Sequence, residues 1–437
     1  MSDEWKAPPS RLSQLTSKFK TYIKEHMKKP TLGPNHEKAG SFAVLPPEII
    51  GDIAFFLDTV SNNAFRRTCK YSEACTWHHW QRTCLQCIRS DFSAKSYGSL
   101  VKLAQQPRLA EQVQKLVVSE RSFDAGLGSG FSWQRHHDTR IICSQVNVRT
   151  FMRLLTNFPN LSAIRISRPF TAWDLDRFDN LTASDVVTIM VAIIAGSRLP
   201  LSSFEIDFEP LPRNPIDLSR IHRNDFLDPA FLLAWNRLEK LAIRVQIMDG
   251  IGLGFHYLLL HNCPNLKSLS LDLERGTFGW GLIRILANNQ HGATHRLEEL
   301  SLRGVEIVSL SHLRKTIHRH RRTLRKLSLF AVTLPKSGHW RWLFNILRET
   351  CPVLESIEFN DIREIGDVAR RLIHFPEVST TSVKEADGVQ FVYHARRWPQ
   401  GDRRAPMYNF FISYQGPKME SALRLLDKWA AAISIGP

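Results

Sequence analysis

Leu266-Lys267-Ser268-Leu269-Ser270-Leu271, Leu297-Glu298-Glu299-Leu300-Ser301-Leu302 and Leu324-Arg325-Lys326-Leu327-Ser328-Leu329 are three copies of one short pattern. The last two leucines of each copy stand two residues apart, the spacing of a strand with one face buried, and the first leucine leads into it. With other apolar residues allowed, the pattern recurs at Val113/Leu116/Val118, Leu161/Ile164/Ile166, Leu201/Phe204/Ile206, Leu238/Leu241/Ile243 and Leu354/Ile357/Phe359. The last five copies begin at 238, 266, 297, 324 and 354, spacings of 28, 31, 27 and 30 residues. Helix-like stretches precede the strands, among them Phe151–Phe158, Phe255–Asn262, Leu282–Asn288 and Trp342–Thr350. Three of them end alike, at Phe158-Pro159-Asn160-Leu161, Cys263-Pro264-Asn265-Leu266 and Cys351-Pro352-Val353-Leu354. A proline there stops the helix and starts an extended segment.

One strand and one helix cannot bury their own apolar faces, whereas stacked copies can. The spacing lies close to the roughly 20–29 residues of leucine-rich repeats. The earlier spacings of 48, 40 and 37 residues imply insertions around Gly126–Gly130, around 168–182 and in the proline-rich 209–229. Val389–Tyr393 and Tyr408–Tyr414 read as strands joined by a loop with Arg396, Arg397, Arg403 and Arg404, and 418–433 reads as an amphipathic helix. These boundaries predict a basic N-terminal tail at 1–41, a helical domain at 42–89, a repeat solenoid at 90–375 and a terminal cap at 376–437. The tail carries Leu12, Leu15, Phe19, Tyr22 and Ile23 at helical spacing among lysines, a pattern shared by a loose tail and a short amphipathic helix.

A hydrophobic fraction of 43% supports a core, and a net charge of +16 raises acidic partners of several kinds. Seven scattered cysteines behind a polar, charged N-terminus predict reduced thiols in the cytosol or nucleus. No apolar run approaches the ~20 residues of a membrane span. Cys75, His78, His79, Cys84 and Cys87 offer zinc-type ligands but only one C-x-x-C, so no metal is expected. Gly126-Leu127-Gly128-Ser129-Gly130 and Gly250-Ile251-Gly252-Leu253-Gly254 lack the lysine of a phosphate loop, so no cofactor is expected either. No hydrolase, metalloprotease or kinase signature is present, and His136-His137-Asp138 falls in a loop.

Residues 42–85 contain Leu45-Pro46-Pro47-Glu48-Ile49-Ile50, then Ile53, Leu57-Asp58, Phe65-Arg66 and Cys69-Lys70. The stretch resembles an F-box, with one departure: Asn62 and Asn63 stand where leucines are usual. Together with the repeats, the chain resembles the class of F-box proteins with leucine-rich repeats. The resemblance implies an α+β fold, a helical F-box followed by a curved solenoid of alternating helix and short parallel strand with a ββα cap. It also implies a non-enzymatic substrate-recognition adaptor of a Skp–cullin–F-box ubiquitin ligase. Leu45, Pro46, Ile49, Ile53 and Leu57 would contact the Skp-type adaptor, and through it a cullin.

The residues beside the inward leucines line the concave face of such a solenoid. They include Arg165, Glu205, Asp207, Arg244, Asp272, Arg303, Glu358 and Asn360, with acids and bases mixed. A phosphate-binding groove would be mostly basic, so nucleic acid is the less favoured partner. A protein substrate, an acidic or phosphorylated segment among the candidates, is expected to meet Arg244, Asp272 and Arg303, and the cluster Arg319, Arg321 and Arg322. The strand frame places that cluster in the turn entering the strand at Leu324, at one rim. The alternative to the ligase reading is a repeat-based binding scaffold whose N-terminal helices are only a cap.

Overall fold

The computed structural model of the chain describes residues 45–120, 126–167, 180–197, 199–208, 221, 226–245, 250–273, 279–288, 296–336, 339–366, 370–379, 388–398 and 407–434. The tail at 1–41 and the arginines at 403 and 404 lie outside them. The chain divides into two compact units, 1–88 and 89–437.

In the first unit, α1 (Pro47–Phe56), α2 (Thr59–Arg66) and α3 (Lys70–Trp80) follow one another, and α3 continues into a wider helical turn at Gln81–Leu85. Pro47 occupies the first helical position, where a missing N–H costs nothing. Asp58 caps α2 by accepting from the Ser61 amide at 2.7 Å.

The second unit is a mixed α/β structure in which helices and strands alternate. Its strands and helices, in chain order, are β1 (Cys87–Ser90, across the unit boundary), α4 (Ala94–Ala104), α5 (Pro107–Ala110), β2 (Lys115–Val118), α6 (Val146–Leu155), β3 (Ala163–Ser167), α7 (Ala183–Ser197) and β4 (Ser203–Asp207). There follow α8 (Pro229–Trp235), β5 (Lys240–Arg244), α9 (Gly250–His261), β6 (Ser268–Asp272), α10 (Gly279–Asn288), β7 (Glu299–Arg303), α11 (Leu310–His320) and β8 (Lys326–Phe330). The last elements are β9 (Thr333–Leu334), α12 (His339–Thr350), β10 (Ser356–Asn360), β11 (Arg363–Ile365), β12 (Arg370–His374), α13 (Pro376–Ser379), β13 (Val392–Trp398), β14 (Met407–Gln415), α14 (Met419–Trp429) and β15 (Ala431–Ser434).

Eleven strands form one sheet in the order β1 to β8, β10, β14, β13. From β2 to β10 neighbouring strands are parallel and pair without a register slip. Leu116, Ile164, Phe204, Leu241, Leu269, Leu300, Leu327 and Ile357 make one continuous row. Every apolar residue of the eight repeat patterns is at most 4% exposed. The alternation therefore sends one face of each strand toward the helices and leaves the other open. The Pro-Asn-Leu punctuation also acts across repeats. The Asn160 and Asn265 side chains donate to the carbonyls of Glu111 and Asn236, at 2.6 and 2.8 Å, in the preceding unit. Cys263 and Cys351 pack beneath it as small apolar groups, and burial pushes both thiols up.

The helices begin earlier than apolar periodicity suggests, α6 at Val146 and α12 at His339. Each first turn holds a single buried apolar residue, Val148 in α6 and Trp340 in α12, too few to show a period. Gly250–Gly254 opens α9. A second sheet, in the order β15-β12-β11-β9, has no counterpart in the sequence reading. The stretch 418–433 divides into α14 and β15, and β15 pairs antiparallel with β12 from His374↔Ala431 to Arg371↔Ser434.

Candidate functional site

Two surfaces gather the side chains singled out in the sequence, one in each unit. On α1 the inward stripe is Ile50 and Ala54, both fully buried. Ile49 and Ile53, one residue round the helix, are half-buried, as are Leu45 and Leu57, and Pro46 is exposed. Phe56 continues the Ile49–Ile53 stripe at helical spacing and is exposed. Sequence reasoning leaves it out of the contact set, together with Phe55 and Val60, which are 65% and 79% exposed. The signal was present: three large apolar residues beyond those needed for one inward stripe.

Asn62 and Asn63, the departures from the F-box pattern, are built into this unit. Asn62 is buried and donates to the Ala54 carbonyl at 3.1 Å, tying α2 to the end of α1. Asn63 accepts from the Trp80 indole at 2.7 Å. Arg66 lies over the Trp77 and Trp80 rings at 5.1 and 4.5 Å and pairs with Glu73 at 3.7 Å. Among the described residues no cluster of three or more His, Cys, Asp or Glu could hold a metal ion.

On the open face of the large sheet, the last residues of successive strands align: Ser167, Asp207, Arg244, Asp272, Arg303, Phe330 and Asn360. The alignment creates a ladder of ion pairs. Lys115 Nζ meets Glu205 at 3.4 Å, and Arg165 pairs with both Glu205 and Asp207. Arg244 Nη1 reaches Asp207 at 3.4 Å while its Nε reaches Asp272 at 2.9 Å, and Arg303 Nε reaches Asp272 at 3.6 Å. Each acid is thus held between two cations. The surplus charge is Arg303 at the end of the run, which is 47% exposed where Asp272 is 10%. In the middle row, Ala242, Ser270, Ser301 and Ser328 are too short to fill the face. A trough of about 210 Å³ opens over Ala242, Ser270 and Ser301, bounded by Arg244, Asp272, Arg303 and Phe330. Glu358 continues the polar face, accepting from Ser328 Oγ at 2.8 Å and pairing with Lys326 at 3.2 Å.

The structure brings Arg244, Asp272 and Arg303 together but places the second arginine cluster elsewhere. Leu313, Thr316, Ile317 and His320 are buried at helical spacing, so α11 persists to His320. Arg319 therefore belongs to the helix rather than to the turn. Arg321 and Arg322 alone occupy the turn, where Arg321 bonds the His318 ring. The His136-His137-Asp138 triplet is a loop held by Arg140, whose hydrogen bond to the Asp138 carboxylate at 2.6 Å lowers that carboxyl to about 2.

The ladder's inner carboxylate should matter more than its outer guanidinium. Asp272→Ala leaves Arg244 and Arg303 without their shared partner and should cost roughly 1–3 kcal/mol in urea unfolding. Arg303→Ala removes a half-exposed end and should cost about 0–1 kcal/mol. Equal losses would contradict the ladder. Among the described residues no helix is long and apolar enough to cross a membrane. No protein-family model and no curated protein matches the chain.

Proposed function

We propose that the protein is a substrate-recognition adaptor of a Skp–cullin–F-box ubiquitin ligase, working in the cytosol or nucleus. In this reading the three-helix unit is an F-box that docks on a Skp-type adaptor, and the adaptor bridges to a cullin. The second unit is a leucine-rich-repeat solenoid closed by β13, β14 and α14, and it holds a protein substrate. The transfer chemistry belongs to other subunits, so this chain needs no catalytic group of its own.

The observation that carries the reading is the apolar surplus of the first unit. Ile50 and Ala54 already close its small core, yet Pro46, Phe55, Phe56 and Val60 remain exposed beside half-buried Leu45, Ile49, Ile53 and Leu57. A surface with that many large apolar side chains favours a protein partner. Covering one such side chain fully is worth roughly 1.5–3 kcal/mol. Asn62 and Asn63 fit the reading too, because Asn62 Nδ2 and Asn63 Oδ1 bond within the helical unit and leave its apolar surface free.

For the substrate we assign the open sheet face around Arg244, Asp272 and Arg303. Its charges are largely self-neutralised, which favours a protein ligand over a polyphosphate chain. The surplus at Arg303, beside Phe330, suits an anionic group next to an apolar one. Affinity purification from native cells, read by mass spectrometry, should recover a Skp-type adaptor and a cullin with this chain. Recovery of neither would overturn the proposal.

A further inference from the structure

The inward rows of the sheet face the helices, so α9 to α12 stand on the side opposite the ion-pair ladder. Consecutive helices of this set pack against one another. Their charge is one-sided. The four helices carry Arg284, Arg314, Lys315, Arg319, Arg341 and Arg348, with Glu349 as their single acid. Arg284, Arg314, Lys315, Arg319 and Arg341 are exposed. On the ladder side each acid lies between cations, whereas among the described residues no carboxylate pairs with Arg284, Arg314 or Lys315. Concentrated like charge without counter-charge is a standing attraction for an anion.

The cations also have a shape to work with. A groove of about 780 Å³ runs between α10 and α11, lined by Ala287 and Asn288 on one side and by Ser311, Arg314, Lys315 and Arg319 on the other. We propose that this groove binds an extended acidic segment of a partner protein. Arginine forks pair with carboxylates in a bidentate manner, and lysine adds a point charge. The Asn288 amide and the Ser311 hydroxyl suit the donors and acceptors of a peptide backbone. The small Ala287 leaves room for a chain to approach. A single-stranded nucleic acid would ask for aromatic platforms beside its phosphates, and among the described residues no Trp, Tyr or Phe lines the groove, whose one ring, His318, is bonded by Arg321. A bilayer surface would ask for apolar anchors among the cations. The exposed residues of α11 are Ser311, Arg314, Lys315, His318 and Arg319, all polar, and Trp280, the one large apolar residue exposed on α10, does not line the groove. The groove shares no lining residue with the trough on the sheet face and uses only α10 and α11, so it stands whether or not the chain serves a ligase.

The test uses the full chain and fluorescence anisotropy with a fluorescein-labelled oligo-glutamate peptide. Oligo-lysine, an oligothymidylate of matching charge and phosphatidylserine vesicles serve as the other arms. Oligo-glutamate should bind, with affinity falling as salt rises. The double reversal Arg314→Glu/Lys315→Glu should weaken it at least about tenfold, a loss of about 1.4 kcal/mol. Arg153→Glu, at an exposed residue of α6 that does not line the groove, should leave binding within about twofold, well below that 1.4 kcal/mol step. The neutral pair Arg314→Gln/Lys315→Gln should fall between wild type and reversal, and it stands in for the reversal if the latter melts early. The inference is overturned by any of four results: no binding of oligo-glutamate, binding untouched by either double variant, an equal loss in Arg153→Glu, or tighter binding of oligothymidylate or vesicles through the same residues.

Discussion

Asp185→Ala should lower the unfolding free energy by about 3–5 kcal/mol, among the largest losses any single polar substitution in this chain will produce. Asp185 sits in the first turn of α7 and is 1% exposed. Arg135 grips it with two bonds, Nη1 to Oδ1 at 2.9 Å and Nη2 to Oδ2 at 2.7 Å, and is itself 14% exposed. The same guanidinium donates to the carbonyls of Thr139 and Asn180, and the Thr182 amide donates to Asp185 Oδ2 at 2.8 Å. Removing the carboxylate strands a nearly buried cation, which costs far more than the pair itself contributes. Replacing both partners, as Arg135→Met with Asp185→Leu, should therefore cost less than Asp185→Ala alone. Urea unfolding of the three variants measures this, and a double variant weaker than the single would contradict it.

The clamp matters because of what it fastens. Along α7, residues 183–191, 193 and 194 are all buried, so this helix has no solvent face before its last turn. The insertion at 126–145 supplies the missing cover, with Leu127, Trp133 and Ile141 buried against the unit. Gly128 makes the fold of that cover possible. Its φ of +79° is one that favours glycine, and a Cβ there would meet the Trp133 indole nitrogen at 2.4 Å.

A chain ending at 375 should be insoluble, or should melt far below the full-length protein. The deleted part is no appendage. β14 pairs antiparallel with β10, from Ser356↔Gln415 to Asn360↔Phe411, and covers the edge of the parallel run. Phe410, Ile412, Tyr414, Leu423 and Leu426 are all buried. At roughly 1.5–3 kcal/mol for each large apolar side chain, their loss rivals the whole 5–15 kcal/mol stability of a typical protein. The new end would also present an unpaired strand edge, a template for aggregation. A soluble product with an unchanged melting temperature would refute this role.

What could be read from the chain beforehand follows from what leaves a periodic trace. The repeat pattern is dense and local, and each leucine that named a strand is buried at its inner face. The ladder residues were legible for the same reason, since alternation fixes which side chains share the open face. Their pairing was not legible, because it depends on register between strands as far apart as Arg165 and Asp207. β9, β11, β12 and β15 were missed because segments of two to five residues, such as Thr333–Leu334, carry no period. The cover at 126–145 reads as a loop for the same reason, and its buried pair joins residues 50 apart in sequence. Arg319 was misplaced because a basic run masks the buried Ile317 and His320 that carry α11 to its end.

The central claim, an F-box that docks on a Skp-type adaptor, is tested most directly by co-elution of the purified full chain with a recombinant Skp-type adaptor. The wild-type chain should co-elute, and the variant Leu45→Ala/Pro46→Ala/Ile49→Ala should not, although its melting temperature stays close to that of the wild type. All three residues are exposed or half-buried, beside the fully buried Ile50 and Ala54. Undiminished co-elution of the folded triple variant, or a wild-type chain that never binds the adaptor, would contradict the account.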